Sequence, residues 1–297
     1  MEKSVSIEKL IEYLSYFSKM YDRVRLVDPL EKKVLYYSGE ELRKEVIPCY
    51  AFWNKSVFCD NCVSIRSYRE NQSYIKLENS LDRICMLTTI PVDNSDRPVV
   101  VECMKDVTDS MFIAEEGKLS ETLHSTICQL NDLVIKDSLT GLYNRRYVED
   151  RLPVDILRSK TKSYPLTLIF LDIDGFKDFN DKHGHLTGDH VLRSVGEAIR
   201  SNIRLNTDWA SRYGGDEFLI CLNRVDYEEG CHIAERIRSA VERIALSGTD
   251  IRVTASLGVL TVSDLDMTAE EMIKNVDEKL YIAKDQGRNR IVGEKMV

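Results

Sequence analysis

Apolar residues recur at Ile7, Leu10, Ile11, Leu14 and Phe17. This is the spacing of one helical face, and it predicts a short amphipathic helix within residues 1–20. From residue 21 to 108 the pattern shifts to short apolar runs between turn signals. Arg23–Val27 and Lys33–Tyr37 flank Asp28-Pro29, and Ser73–Leu77, Arg83–Pro91 and Arg97–Lys105 follow. The last pair is joined by the polar turn Asp93-Asn94-Ser95-Asp96, so the segment is expected to be an α+β domain of five strands with helical pieces. Residues 109–136 read as a connecting helix. Leu119, Leu123, Leu130 and Leu133 fit heptad positions, with Thr126 the polar break. That helix either packs on its own domain or pairs with a second chain as a parallel coil that carries a signal.

Residues 137–297 alternate between the two periods. Helices are expected at Arg145–Ser159, Leu186–Arg204, Tyr227–Ala245 and Ala269–Lys284. Leu166–Ile173 is a near-continuous apolar strand, as in strands covered on both faces. Strands are also expected at Arg252–Val262 and Asn289–Val292, with a hairpin over Ser211–Leu222. Strands with helices on the sheet faces imply an α/β layer architecture. Within the hairpin, Gly214-Gly215 precede Asp216-Glu217 and the apolar run Phe218–Leu222. Adjacent glycines suit a type I′ turn, which needs positive φ. The two acids then stand at the rim of a core, where a divalent cation could be held. A second acidic strand end, Asp172-Ile173-Asp174, lies upstream in a matching context.

Composition changes this picture little. The 297 residues suit two domains, and 43% apolar residues suffice for their cores. A net charge of −8 argues against a nucleic-acid partner, which wants a basic footprint. No run approaches a membrane span, and Met1-Glu2-Lys3-Ser4 leads into mixed charged sequence, so a cytoplasmic location is expected.

Several motifs together resemble one known family. They are Asp137-Ser138-Leu139-Thr140-Gly141-Leu142-Tyr143-Asn144-Arg145-Arg146, Phe170–Lys177, Asn180-Asp181, Gly184-His185, Gly188-Asp189, the glycine hairpin, and Lys284–Asn289. Their order and spacing resemble those of the GGDEF domain, the diguanylate cyclases, over roughly residues 136–297. The resemblance implies a palm-like fold, a central mixed sheet flanked by helices, that condenses two GTP into cyclic di-GMP with release of pyrophosphate. Upstream, five strands closing on Asp106-Val107-Thr108 resemble a PAS sensor, which implies an unknown small ligand or a redox signal there.

The resemblance assigns roles residue by residue. Asp172 and Asp216 would be the principal ligands of two Mg2+ ions (Mn2+ as the alternative), helped by Glu217 and the carbonyl of Ile173. Asp216 would also assist deprotonation of the 3′-hydroxyl. Asn180 and Asp189 would read guanine, because a carboxylate accepts from both N1–H and the 2-amino group. Lys177, Lys284 and Arg288 would bind phosphates, with Phe176 and the hairpin glycines Gly214 and Gly215 lining the substrate. Asp174 is better read as a helix N-cap. His183, His185 and His190 are read as core or surface residues rather than a metal cluster. Each domain would hold one GTP, so catalysis would need a homodimer. The alternative function is a non-catalytic GTP-binding module of the same fold. A nucleic-acid polymerase-like palm fits the acidic balance poorly.

Two local features stand apart. Cys49, Cys59 and Cys62 include a Cys-X-X-Cys pair, which can hold a tetrahedral metal such as Zn2+. A redox site and free or structural loop thiols are the other readings, and with no histidine before His124 a fourth ligand would have to be Cys85, Cys103, a carboxylate or an external group. In addition, the family's Arg-X-X-Asp inhibition motif falls on Leu205-Asn206-Thr207-Asp208. Its arginine is missing and Arg204 is one position off. Inhibition by product through that route is expected to be weak or absent.

Overall fold

The computed structural model describes residues 7–17, 19–37, 47–56, 58–80, 83–93, 95, 97–108, 119–244, 252–263 and 266–296. It divides into two compact units, Met1–Val134 and Ile135–Val297. The linker's first part, 109–118, and two of the four residues of the 93–96 turn lie outside the described residues. No helix among the described residues is long and apolar enough to cross a membrane.

In the first unit, α1 (Ile7–Phe17) precedes β1 (Arg23–Asp28) and β2 (Lys33–Tyr37), then α2 (Val63–Glu70), β3 (Tyr74–Ser80), β4 (Arg83–Pro91) and β5 (Val100–Asp106). The five strands form one antiparallel sheet in the order β2-β1-β5-β4-β3. Leu14 of α1 packs with Val24, Leu26 and Val101, while Trp53, Val63, Leu87 and Met104 form a separate cluster. The sheet also buries a charge pair. Arg25 Nε lies 2.6 Å from Glu102, whose other oxygen accepts from Ser64 Oγ, and Arg25 Nη2 donates to the carbonyl of Cys49. Both charged side chains are almost wholly inaccessible, and such burial is tolerated only when every donor and acceptor is used. The helix α3 (Leu119–Ile135) follows; its Ile127 is buried with Ile84 and Val107, whereas Leu130 and Leu133 are exposed.

The second unit runs β6 (Tyr143–Asn144), α4 (Arg145–Lys162), β7 (Leu166–Ile173), α5 (Phe176–His183), α6 (His185–Arg200), β8 (Trp209–Arg212), β9 (Glu217–Asn223), α7 (Tyr227–Glu242), β10 (Ala255–Val262), α8 (Ala269–Asp285) and β11 (Ile291–Met296). The sheet order is β11-β10-β7-β9-β8-β6, with parallel pairs only at its two edges. Every residue of β7 and β10 is buried, as expected for central strands between helical layers. Thr167, inside this apolar layer, is satisfied by the carbonyl of Val225 and the hydroxyl of Thr261, each at 2.7 Å.

Some boundaries differ from the sequence expectation. The helix expected to reach Arg204 ends at Arg200, because Arg204 takes another partner described below. The strand expected from Arg252 begins at Ala255, and the closing strand is shifted to Ile291–Met296. β10 approaches α8 so closely that a Cβ on Gly258 would overlap the Val276 carbonyl and lie 2.6 Å from Leu280 N. Both obstacles are backbone, so neither can rotate away. Gly258→Ala is therefore expected to destabilise the domain by about 1–3 kcal/mol, the usual cost of overpacking. Denaturant unfolding measures it, and an unchanged midpoint would contradict the close packing.

Candidate active site

The central pair of strands sets the site. β7 and β9 pair antiparallel with Asp172 opposite Glu217, and Ile173 N donates to the Asp216 carbonyl at 3.3 Å. Three acids from two separated segments thus reach one end of the sheet. The turn before them is not the expected type I′. Neither Gly214 nor Gly215 has a left-handed φ. Instead, Tyr213 N and Gly214 N both donate to the Glu217 carbonyl, at 2.8 and 3.2 Å, which widens the turn. A Cβ at 214 would meet the end of the Glu217 carboxylate, which would have to swing aside. Arg212 fastens the turn from below: Nε and Nη2 donate to the Gly215 carbonyl at 2.9 and 2.7 Å. Its Nη1 reaches Asp137 at 3.3 Å. Asp137 also caps the entrance turn, accepting from Thr140 N and Oγ1 at 2.8 Å.

The acids are electrostatically crowded. Burial pushes the Asp172 carboxyl up to about 6, and the charges of Asp216 and Glu217 push the same way. Lys284 opposes this, with Nζ 2.9 Å from Asp172 Oδ2. A buried carboxylate beside two others wants a cation, and the lysine ammonium supplies one. Hard carboxylate oxygens at a strand end suit Mg2+ in donor chemistry, so Asp172, Asp216, Glu217 and the Ile173 carbonyl are the residues that could hold it. Among the described residues no three such side chains already converge as a metal cluster. The remaining donors would have to come from a ligand's own oxygens, which is how Mg2+ is commonly held beside phosphates.

Asp174 is not the N-cap that the sequence suggested. The cap position of α5 is Gly175, with φ +65. Asp174 instead accepts from Thr254 Oγ1, Ser256 Oγ and Asn289 N, at 2.8, 2.7 and 3.1 Å. It therefore pins the loop after α8 to the end of β7. Gly287, with φ +112, turns that loop, and Arg288 projects into solvent beside it. Asn289 is held from its far side by Arg238 and Glu242. Sequence reasoning gave no role to Arg212, Asp137 or Asn289, although all three stand in or beside the motifs singled out. The Arg212–Asp137 pair and the partners of Asn289 lie far apart along the chain, so spacing carried no sign of them.

A helical hairpin, α5 and α6, forms the neighbouring wall. Phe176 is buried and stacks on Phe179, while Lys177 is exposed. Asn180 lies against Gly188, where a Cβ would overlap its Oδ1. That Oδ1 is buried and has no hydrogen-bond partner. A buried acceptor left open is costly unless a ligand donor fills it. Asp189 follows directly and is half-buried. His183 packs against the Phe179 ring at 5.0 Å, and His185 and His190 are exposed.

In the first unit, Cys49 is buried while Cys59 and Cys62 are half-buried, and all three are free thiols. The zinc expectation finds no support here. Among the described residues no group of three ligands forms. Lys32 Nζ instead lies 3.2 Å from Cys62 Sγ, and an ammonium there repels a metal cation. Asp208 is likewise spoken for. Arg204 grips it with two bonds, Nε at 2.9 Å and Nη2 at 2.8 Å, and Asn223 N donates at 3.1 Å. The one-residue shift turns the guanidinium onto Asp208 itself.

The fold and this acidic strand end define an α/β palm-like domain. The family model described as "Diguanylate cyclase, GGDEF domain" matches residues 134–290. The chain belongs to that family. It is 41% identical over 158 residues to Diguanylate cyclase DosC of Escherichia coli (strain K12), covering 52% of this chain and 34% of that protein. It is 42% identical over 153 residues to Diguanylate cyclase DgcS of Shewanella oneidensis, covering 52% of this chain and 50% of that one. The chain thus spans between a third and a half of the length of these curated relatives. Among solved structures, the coiled coil and GGDEF domain of DgcB from Caulobacter crescentus, in complex with c-di-GMP, aligns with TM-score 0.55 and 30% identity. That alignment covers 59% of this chain and 93% of the other.

The Asp172 shift has a sign. Its carboxyl titrates higher in the folded chain than in the unfolded one, so its stabilising contribution is complete in acid and is lost as pH rises through about 6. Asp172→Asn removes that loss. The melting temperature of the variant relative to wild type is expected to climb between about pH 4 and 6 and then level off. A constant difference across that range would contradict the crowding.

Proposed function

We propose that the C-terminal unit is a diguanylate cyclase domain that joins two GTP into cyclic di-GMP and releases pyrophosphate. The observation that carries this reading is the crowding of Asp172, Asp216 and Glu217 at one strand end, relieved only by a cation. Bound Mg2+ would lower the pKa of the attacking 3′-hydroxyl and neutralise charge on the phosphates. Asp172, Asp216, Glu217 and the Ile173 carbonyl would hold it. Lys284, third-exposed on the last turn of α8, would then exchange Asp172 for a phosphate oxygen. Arg288 and Lys177, both exposed around the same strand end, would hold the rest of the triphosphate. The open Oδ1 of Asn180 and the carboxylate of Asp189 would accept from guanine's N1–H and 2-amino group. Adenine lacks that donor pair, so the wall would discriminate against ATP.

One such domain presents one substrate. The bond between two GTP molecules then requires two domains face to face, each delivering a 3′-hydroxyl to the other's α-phosphate, and proximity supplies much of the rate. The exposed Leu130 and Leu133 of α3 support pairing of that helix with a second copy. The first unit is read as a PAS-like sensor. Support comes from its five-stranded antiparallel sheet and from the clasp at the sheet's end, where Thr108 N and Oγ1 donate to Asp106 Oδ1 at 3.0 and 2.6 Å.

Purified protein given GTP and Mg2+ is expected to yield cyclic di-GMP, identified by mass, and Asp216→Ala to lose at least about 100-fold of the rate. GTP binding without product would mark the domain as a non-catalytic binder instead. Because Asp208 is buried and gripped by Arg204, added cyclic di-GMP is expected to leave the initial rate unchanged at low micromolar concentration. Submicromolar inhibition would overturn this.

A further inference from the structure

The Cys-X-X-Cys turn is joined to the helix that leaves the first unit. Between Cys59 and Cys62, the side chain of Asn61 is 7% exposed and donates through Nδ2 to Asn131 Oδ1 on α3 at 3.0 Å. Asn131 in turn donates to the Leu77 carbonyl at 3.1 Å. Asn61 is also held from two other sides: its Oδ1 accepts from Arg66 Nη2 at 3.2 Å and its carbonyl accepts from Lys76 Nζ at 2.8 Å. Cys62 is the N-cap of α2, yet it offers no side-chain cap bond. Its sulfur instead meets Lys32 Nζ at 3.2 Å, on an amine whose residue is only 4% exposed and which also lies over the Phe58 ring. A lysine held in the interior against a sulfur needs that partner.

We propose that Cys59 and Cys62 form an oxidisable dithiol whose state is transmitted to α3 through the Asn61–Asn131 contact. The oxidant class is a hydroperoxide. The Cys62 sulfur attacks the peroxide oxygen and becomes a sulfenic acid as the O–O bond breaks and the reduced oxygen leaves as water or alcohol. The Cys59 thiol then displaces water from that sulfenic acid to form the disulfide. Two thiols lose two electrons and two protons, and the peroxide gains both pairs. Lys32 is placed to compensate charge on Cys62 during this exchange. Burial, and then the neighbouring Cys62, push the Cys59 thiol up to about 11, which suits the resolving rather than the attacking partner. Both residues are half-buried, whereas Cys49, Cys85 and Cys103 are buried.

A disulfide across two intervening residues fixes the separation of the Cys59 and Cys62 Cβ atoms and reshapes the turn. Asn61 sits within that turn, so its side chain and its carbonyl cannot together keep all three partners while the backbone around them moves. The attachment expected to give way is the one to α3, a bond between two neutral amides, whereas the other two come from the charged donors Arg66 and Lys76. The inference holds whether or not the second unit turns over GTP.

The test uses the full chain, reduced or treated with hydrogen peroxide, with free thiols then alkylated. A peptide joining Cys59 to Cys62, lighter by about 2 Da than its reduced form, is expected. Amide exchange over residues 127–135 is expected to quicken about tenfold in the oxidised protein, while Cys62→Ser and Cys59→Ala stay at the reduced rate. Asn131→Ala should exchange fast even when reduced, yet still form the disulfide. Both cysteines still alkylated after peroxide, or a bond from Cys62 to Cys49 instead, would overturn the site. A disulfide with no change of exchange in α3 would overturn the link. Neither readout requires cyclase activity, so a failure of the cyclase reading shows separately.

Discussion

Like charges forced together at the end of two hydrogen-bonded strands are the constraint on which this molecule depends. The register of β7 against β9 puts Asp172 opposite Glu217, and the wide turn adds Asp216. None of these acids gains from the others. A fold would discard such an arrangement unless something positive repaid it, and burial of Asp172 makes the need sharper. Without a ligand, the tip of Lys284 answers that need. A nucleotide carries the opposite problem, a polyanion that acids would repel, and a shared divalent cation resolves both at once.

The surroundings are built to hold that strained corner still. On one side, Arg212 ties the Gly215 carbonyl to Asp137, so the turn and the domain entrance share one guanidinium. On the other, Asp174 spends its carboxylate on Thr254, Ser256 and the Asn289 amide, which fixes the loop carrying Arg288. Beneath them, β7 and β10 are buried throughout, and α8 lies within backbone contact of Gly258. Asp172 and Glu217 stand on paired strands and Asp216 on the turn between β8 and β9, whereas the cations Lys177 and Arg288 are exposed. Fixed anions and adjustable cations suit a site that must capture and release a charged molecule.

Much of this was legible in the chain. Uninterrupted apolar runs marked β7 to its exact residues, and the glycine–acid string marked the strand end. What failed did so for physical reasons. The paired glycines suggested positive φ, but neither adopts it, because the turn is shaped instead by two amides, of Tyr213 and Gly214, sharing the Glu217 carbonyl. Asp174 looked like a cap because it precedes a helix. Its true partners, Thr254 and Asn289, lie 80 and 115 residues away, beyond the reach of local reasoning. The cysteines suggested zinc, since sequence could not show that Lys32 would occupy the space beside Cys62. Arg204 looked misplaced by one residue, yet that shift is what lets it grip Asp208 across a helical turn's distance.

The account is tested most directly by anomalous scattering from Mn2+ in crystals soaked with a non-hydrolysable GTP analogue. A metal peak is expected within about 2.5 Å of carboxylate oxygens of both Asp172 and Asp216, with Lys284 swung from Asp172 onto the nucleotide's phosphates. Nucleotide bound with Lys284 still on Asp172, and no metal against either aspartate, would contradict it.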